Sequence, residues 1–210
     1  MTNIKENKMN TVYNMDCLEA MKGMKDNEFE LAIVDPPYNI GEKFKGGKTG
    51  KMNFNEIVDK GWDNKPPSQE YFNELFRVSK NQIIWGGNYY NLPPTRCYLI
   101  WDKLISDNFS LAMAELAWTS FDKLVKIFKY CNPKNNKIHP TQKPVSLYKW
   151  LLTNYAKQGD KILDTHLGSG SSRIACYDLG FDFVGYELDK DYFEAQEKRF
   201  QNHINQQGMF

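Results

Sequence analysis

The chain has little net charge and few of the residues that mark a specialised class. Its 27 Lys and Arg nearly balance its 26 Asp and Glu, leaving a formal charge of +1 over 210 residues. That balance excludes a global basic field able to draw nucleic acid to the whole surface, so any phosphate contact must come from local patches. Cysteine is scarce and scattered. Cys17, Cys97, Cys131 and Cys176 have no metal-ligand spacing, and His139, His166 and His203 complete no zinc pattern with them. No disulfide framework or metal site is therefore expected, and reduced thiols of a cytoplasmic protein are the simplest reading. The chain has no long apolar run, so neither a signal peptide nor a membrane span is expected. It also has no internal repeat and no low-complexity tract. What is present is ordinary for a globular protein: 41% hydrophobic residues, 25% charged residues, and length for one domain, or one domain with a small insertion, around a full core. Aromatic residues reach 14%, enough to serve both a core and the stacking of bases.

Two segments carry chemistry. The apolar run Leu31-Ala32-Ile33-Val34 reads as a buried strand and ends at Asp35-Pro36-Pro37-Tyr38. The prolines fix φ, restrict the residue before each of them, and remove two N–H donors. Nearby carbonyls can then face a pocket without competing donors. A carboxylate acceptor beside an aromatic face suits a planar amino group, such as that of an extruded adenine. An ordinary prolyl turn is the plain alternative. The second segment runs Ile162-Leu163-Asp164, then Thr165-His166-Leu167-Gly168-Ser169-Gly170-Ser171-Ser172, then an apolar helical run. This is a strand, a Gly-rich turn and a helix start, where the backbone can approach a ligand closely and free N–H groups favour polar or anionic groups. The following strand, 181–186, delivers Glu187, an acid placed to meet ribose hydroxyls. A structural turn with a solvated Glu187 is its alternative.

Between these segments, strands are expected at 11–13, 82–85, 97–101 and 115–119, with Lys123 to Ile127 extending the sheet. Helices are expected over 18–24, from an Ser68 N-cap to Val78, from Pro144 to Ala156, and over 190–202. The alternation predicts an α/β fold with a doubly wound, mostly parallel sheet covered on both faces. Residues 39–67 are rich in Gly, Lys, Asn and Pro and read as a long mobile loop, a lid over the pocket or a nucleic-acid contact. Two lysine patches stand out: Lys43, Lys45, Lys48 and Lys51, and Lys123, Lys126, Lys129, Lys134 and Lys137. Each is also readable as a solvated face.

Taken together, Asp35 to Tyr38, then His139-Pro140-Thr141-Gln142-Lys143-Pro144, then Asp164 to Ser172 form an ordered set. In that order the chain resembles the S-adenosylmethionine-dependent amino-group DNA methyltransferases of the β group. The segments 84–88, 99–103 and 115–118 look like the intervening motifs of that family. The likeness covers about Thr11 to Phe200 and implies a Rossmann-like class I methyltransferase fold in a single catalytic domain, 1–210. It implies that Asp35 and the Pro36 carbonyl accept the target amino group, with Pro37 shaping the loop and Tyr38 stacking on the base. For the cofactor, S-adenosylmethionine, it implies contacts from Asp164, His166, Gly168, Ser169, Gly170, Glu187, Asp16 and Lys143. Lys143 is expected near the cofactor carboxylate, although a surface lysine is its plain reading, and Asp16 is equally readable as a helix N-cap.

Two departures qualify the match. Thr165-His166 and Ser171-Ser172 replace the family's usual Pro-Phe and Thr-Thr. If His166 lines the pocket it is expected to be neutral beside a cationic cofactor; a solvent-facing loop histidine is the alternative. Only residues 119–138 occupy the place of a sizeable target-recognition region, so sequence reading falls to 39–67, to a second copy of the chain, or is weak. Single-stranded DNA is a further substrate that lowers the cost of base extrusion. Aspartate as the first motif residue leans toward adenine-N6 over cytosine-N4. RNA or protein-amide methylation and a non-catalytic binding module are the remaining alternatives. Abundant Asn, Lys and Ile fit a bacterial or phage origin, hence a bacterial or phage-infected cytoplasm.

Overall fold

The computed structural model describes residues 9–38, 66–106, 112–132, 137–139 and 141–207. The segment expected to be a mobile loop lies outside these except for its last two residues. So do Lys43, Lys45, Lys48, Lys51, Lys134 and Pro140.

The chain folds as β1 (Asn10–Asn14), α1 (Cys17–Lys22), β2 (Phe29–Val34), α2 (Gln69–Val78), β3 (Ser79–Trp85), β4 (Tyr98–Asp102), β5 (Ala114–Thr119), β6 (Lys126–Lys129), α3 (Val145–Tyr155), β7 (Lys161–Asp164), α4 (Ser171–Leu179), β8 (Asp182–Glu187) and α5 (Lys190–Gln207). A short 3-10 helix, Gly87–Tyr89, follows β3. The eight strands form one sheet in the order β1-β8-β7-β2-β3-β5-β4-β6. Every neighbouring pair is parallel except the two made by β5, which runs against β3 and β4. The expected doubly wound, mostly parallel sheet is therefore present, with one reversed strand.

The central strands of the sheet are buried on both faces. One core gathers Leu31, Ile33, Ile83, Trp85 and Leu99 with Leu147, Leu151 and Leu152 of α3. The other gathers Ala32, Val34, Ile84 and Trp118 with Tyr71, Phe72, Leu75 and Val78 of α2. Burial on both sides explains why β2 reads as an unbroken apolar run rather than an alternation. Local signals set the helix ends. The Ser68 hydroxyl caps α2 by accepting from the Tyr71 N–H at 3.2 Å. Gly180 closes α4 at φ +71°, a left-handed position that glycine adopts without a Cβ penalty.

The chain leaves β2 toward β3 on one side, while β7 lies on the other and leads to β8. Adjacent β2 and β7 therefore form the topological switch point, and their C-terminal ends open on the crevice where ligands of such sheets bind. Asp35 follows β2 directly and Asp164 ends β7. No helix among the described residues is long and apolar enough to cross a membrane.

Candidate active site

Asp35 emerges from the sheet into a crowded polar cluster. Its Oδ1 accepts a hydrogen bond from the Tyr38 hydroxyl, and its Oδ2 accepts one from the Lys143 ammonium, which also lies 3.3 Å from the Tyr38 oxygen. The Tyr90 hydroxyl donates to the Pro36 and Pro37 carbonyls at 2.8 and 3.0 Å. Each proline contributes an acceptor carbonyl and no N–H donor of its own. Tyr38 stacks on Tyr89 at 5.1 Å between centroids and 19° between planes. Gly86 makes that placement possible: its φ is +66°, and a Cβ there would overlap the Tyr38 ring.

Lys143 sits just before α3, and its side chain is 2% exposed. Sequence reasoning places it near a cofactor carboxylate; in the structure its ammonium lies between two carboxylates of the chain itself. Besides Asp35, Glu115 Oε2 is 3.1 Å away, and Glu115 Oε1 pairs with Lys103 at 2.7 Å. Burial pushes the Asp35 carboxyl up, Lys143 pulls it down and Glu115 raises it, with a net upward shift. Burial opposes charge on Lys143, but Asp35 and Glu115 outweigh it and hold the lysine above its ordinary value, so it is protonated. Burial likewise opposes charge on Glu115, yet Lys143 and Lys103 keep it below its ordinary value.

The second half of the site lies at the end of β7. Asp164 is buried, with Oδ2 accepting from the Ser172 hydroxyl at 2.5 Å and Oδ1 from the His166 N–H at 3.0 Å. Burial pushes its carboxyl up to about 7, against both hydrogen bonds. Gly168 and Gly170 take φ of +50° and +71°, so the turn needs glycine at both places. The His139 ring covers Gly168, where a Cβ would lie 3.6 Å from it. His139 packs on Tyr192 at 4.4 Å, and burial pushes its imidazole down to about 4. Ser169 is buried, and its carbonyl accepts from Arg199 at 2.6 Å. Glu187 accepts from the N–H of Gly168 at 2.7 Å and of Asp189 at 2.9 Å, which ties the acid at the end of β8 to the Gly-rich turn.

His166 faces inward, edge-on to Tyr71 at 5.4 Å, and its Nδ1 is 2.9 Å from the Thr165 hydroxyl. Burial pushes its imidazole down to about 4, so it is neutral at physiological pH. Asp16 is exposed and caps α1, with Oδ1 accepting from the N–H of Leu18 at 2.7 Å and of Glu19 at 3.2 Å. The two halves are joined by Lys143, whose carbonyl accepts from the Ser171 hydroxyl at 2.8 Å. Sequence reasoning missed Tyr90, which bonds the Pro36 and Pro37 carbonyls, Glu115, which meets Lys143, and Lys103, which meets Glu115. Glu115 and Lys103 were visible only as members of the 115–118 and 99–103 motifs, and Tyr90 carried no signal.

Among the described residues of 119–138, β6 is the main regular element. Lys123 and Lys126 are anchored on Asn154 of α3 at 3.1 and 2.9 Å, and Lys123 lies 4.7 Å over the Tyr155 ring. That half of the lysine patch is thus partly engaged in packing.

A doubly wound sheet with the Asp35–Tyr38 loop after β2 and a glycine turn after β7 is the architecture of a class I methyltransferase. The chain belongs to the DNA methylase family (N6 and N4 methyltransferases), whose model matches residues 84–198, more than half of the chain. It is similar to the Type II methyltransferase M.HpaI of Haemophilus parainfluenzae, 25% identical across 90% of this chain and 74% of the relative. M.HinfI of Haemophilus influenzae is 23% identical across 91% and 68%. Among solved structures, the M1.HpyAVI–SAM complex superposes with a TM-score of 0.60 at 20% identity, covering 90% of this chain and 98% of that one. The cytosine-N4-specific PvuII DNA methyltransferase gives 0.60 at 12% identity, covering 93% and 91%.

Proposed function

We propose that this chain transfers the methyl group of S-adenosylmethionine to the N6 amino group of adenine in DNA. The observation that carries the reading is the buried Asp35 carboxylate beside the Pro36 carbonyl at the end of β2, two oxygen acceptors at the switch point of the sheet. Each oxygen has a second lone-pair direction beyond the donor it already holds. Two acceptors on one amino group draw its hydrogens into their plane and free the nitrogen lone pair from the ring π system. Transfer then needs positioning and electrostatics rather than a covalent enzyme intermediate. Tyr38 offers a flat face already stacked on one ring, suited to an extruded base.

The chain's other half fits the cofactor. Gly168 and Gly170 give the turn the left-handed backbone it needs, Asp164 and Ser169 supply buried polar groups, and Glu187 stands at the turn for ribose hydroxyls. When bound, S-adenosylmethionine supplies the electrophilic methyl group. Neutral His166 adds no positive charge beside a sulfonium. Asp16 stands beyond β1, where it can cap α1 and still offer Oδ2 to an adenine edge. Residues 119–138 serve as a reduced target-recognition segment of a single domain, with DNA, double- or single-stranded, as the partner.

Cytosine-N4 is the second reading, favoured by the likeness to the cytosine-N4-specific PvuII enzyme. One assay separates them: transfer of labelled methyl to single- and double-stranded DNA and to RNA, followed by digestion and mass identification of the nucleoside. N6-methyladenine from DNA supports the proposal, and N4-methylcytosine replaces the base. In the same assay Asp35→Ala is expected to lose turnover while binding the cofactor normally; retained turnover would remove Asp35 from the mechanism.

A further inference from the structure

Glu115 and Lys103 lie outside the acceptor loop and the Gly-rich turn, yet they bear on Asp35. Glu115 projects from β5, the one reversed strand, and Lys103 follows β4. Both side chains are about one-fifth exposed, at 21% and 22%, whereas Lys143 is 2% exposed. The order is Lys103, Glu115, Lys143, Asp35: four alternating charges that sum to zero in a largely buried row. The Glu115–Lys143 contact is close at 3.1 Å but poorly aligned, and Glu115 Oε2 has no hydrogen-bond partner among the described residues. The lysine therefore favours Asp35, whose Oδ2 it meets in a hydrogen bond, while Lys103 holds Glu115 back.

We infer that Glu115 and Lys103 are a positioning pair that sets how much of the Lys143 charge Asp35 receives, and so the pH range in which Asp35 can act as an acceptor. The inference rests on the proposed role of Asp35. A protonated carboxyl keeps some acceptor capacity, but the ionised carboxylate is the stronger acceptor of an amino hydrogen and carries no O–H donor of its own. Glu115 opposes that ionisation by its own charge and by drawing on Lys143; Lys103 relieves it by neutralising Glu115. The other groups around Asp35 are the hydroxyls of Tyr38, Tyr90 and Tyr148 and the more distant Asp164, and none of them is a cation.

The two members of the pair must act in opposite directions. Glu115→Gln removes a like charge and leaves Lys143 to Asp35, so Asp35 should become more acidic. Lys103→Met unbalances Glu115, which then competes harder for Lys143, so Asp35 should become less acidic. A like charge within this range moves a carboxyl by roughly one pH unit or more.

The test is titration of the Asp35 carboxyl by carbon NMR in aspartate-labelled protein without cofactor, assigned with Asp35→Asn, beside the pH profile of single-turnover methyl transfer. The expected result is a downward shift for Glu115→Gln and an upward shift for Lys103→Met, with the acid limb of the rate profile following each. Shifts in the same direction, or none, overturn the inference. The NMR reading is independent of turnover, so shifts of opposite sign without methyl transfer would sustain the pair and fault only the assigned reaction. If Glu115→Gln does not fold, Glu115→Ala, which also removes the charge, and Lys103→Met carry the two arms.

Discussion

Replacing Lys143 with Met is the sharpest probe of the buried cluster. Methionine keeps most of the volume and removes the only cation that contacts Asp35 among the described groups. The side chains concerned are 2% and 16% exposed, so solvent offers little compensation. Removing one partner of such a pair costs about 3–5 kcal/mol, because the other charge stays buried. For a chain of this size that lowers Tm by roughly 10 °C. Glu115 keeps Lys103, so the loss falls on Asp35. Burial already raises the Asp35 carboxyl above its ordinary 3.8 with Lys143 opposing; without Lys143 it rises further. An acid with a raised folded pKa holds a proton that the unfolded chain has released, so stability falls as pH rises from the unfolded value through the folded one. The variant should therefore be less destabilised at pH 5 than at pH 8, because the charge that must stay buried without its partner grows as pH rises. Urea denaturation of both proteins at the two pH values gives the difference directly. The double variant Lys143→Met with Asp35→Asn should recover much of the loss at pH 8. A pH-independent loss, or no recovery in the double variant, would refute the buried-pair account.

Three other outcomes follow from the geometry. Gly86→Ala should displace the Tyr38 ring and strain a backbone at φ +66°, lowering stability by about 1–2 kcal/mol and methyl transfer about 100-fold, as read by melting and single-turnover rates. Glu187→Gln should weaken S-adenosylmethionine about tenfold in calorimetric titration, the loss of one charge-assisted hydrogen bond, and an unchanged Kd would remove Glu187 from the cofactor site. Burial takes the Asp164 carboxyl from 3.8 in the unfolded chain to about 7, which is worth ~4 kcal/mol. Folding therefore takes up a proton there, and wild type should lose stability relative to Asp164→Asn as pH rises from about 4 to about 7; parallel stability curves would contradict this.

The sequence was most legible where function and local physics coincide. Asp35, Asp164 and Glu187 each stand at or just beyond the end of a strand, and apolar runs bounded by proline or glycine mark such ends without knowledge of the fold. The cap at Ser68 and the start of α3 after Pro144 are equally local. Helix α5 runs to Gln207 rather than Asn202 because its polar tail holds no proline or glycine to stop it. The reversal of β5 was not legible, since strand direction is a property of neighbours. Glu115 was hidden for the same reason: in a strand it reads as a solvent-facing position, and only the sheet brings it to Lys143. Asp16 has both local and distant readings, and its capping bonds answer only the local one.

The bond between Lys143 and Asp35 joins residues 108 positions apart, and β2 finds its partner β7 by pairing Leu31 with Ile162. Contacts of such sequence separation are slow to form, because a long loop must close before they offer any return. During synthesis the acceptor loop emerges early, yet it stays without its lysine, its neighbouring strand and the glycine turn until most of the chain has followed. A nascent or truncated chain ending before Lys143 thus carries Asp35 without its lysine, its neighbouring strand β7 or the glycine turn, and methyl transfer becomes possible only once the two distant halves have met. Chemistry and completion of folding are in this way the same event.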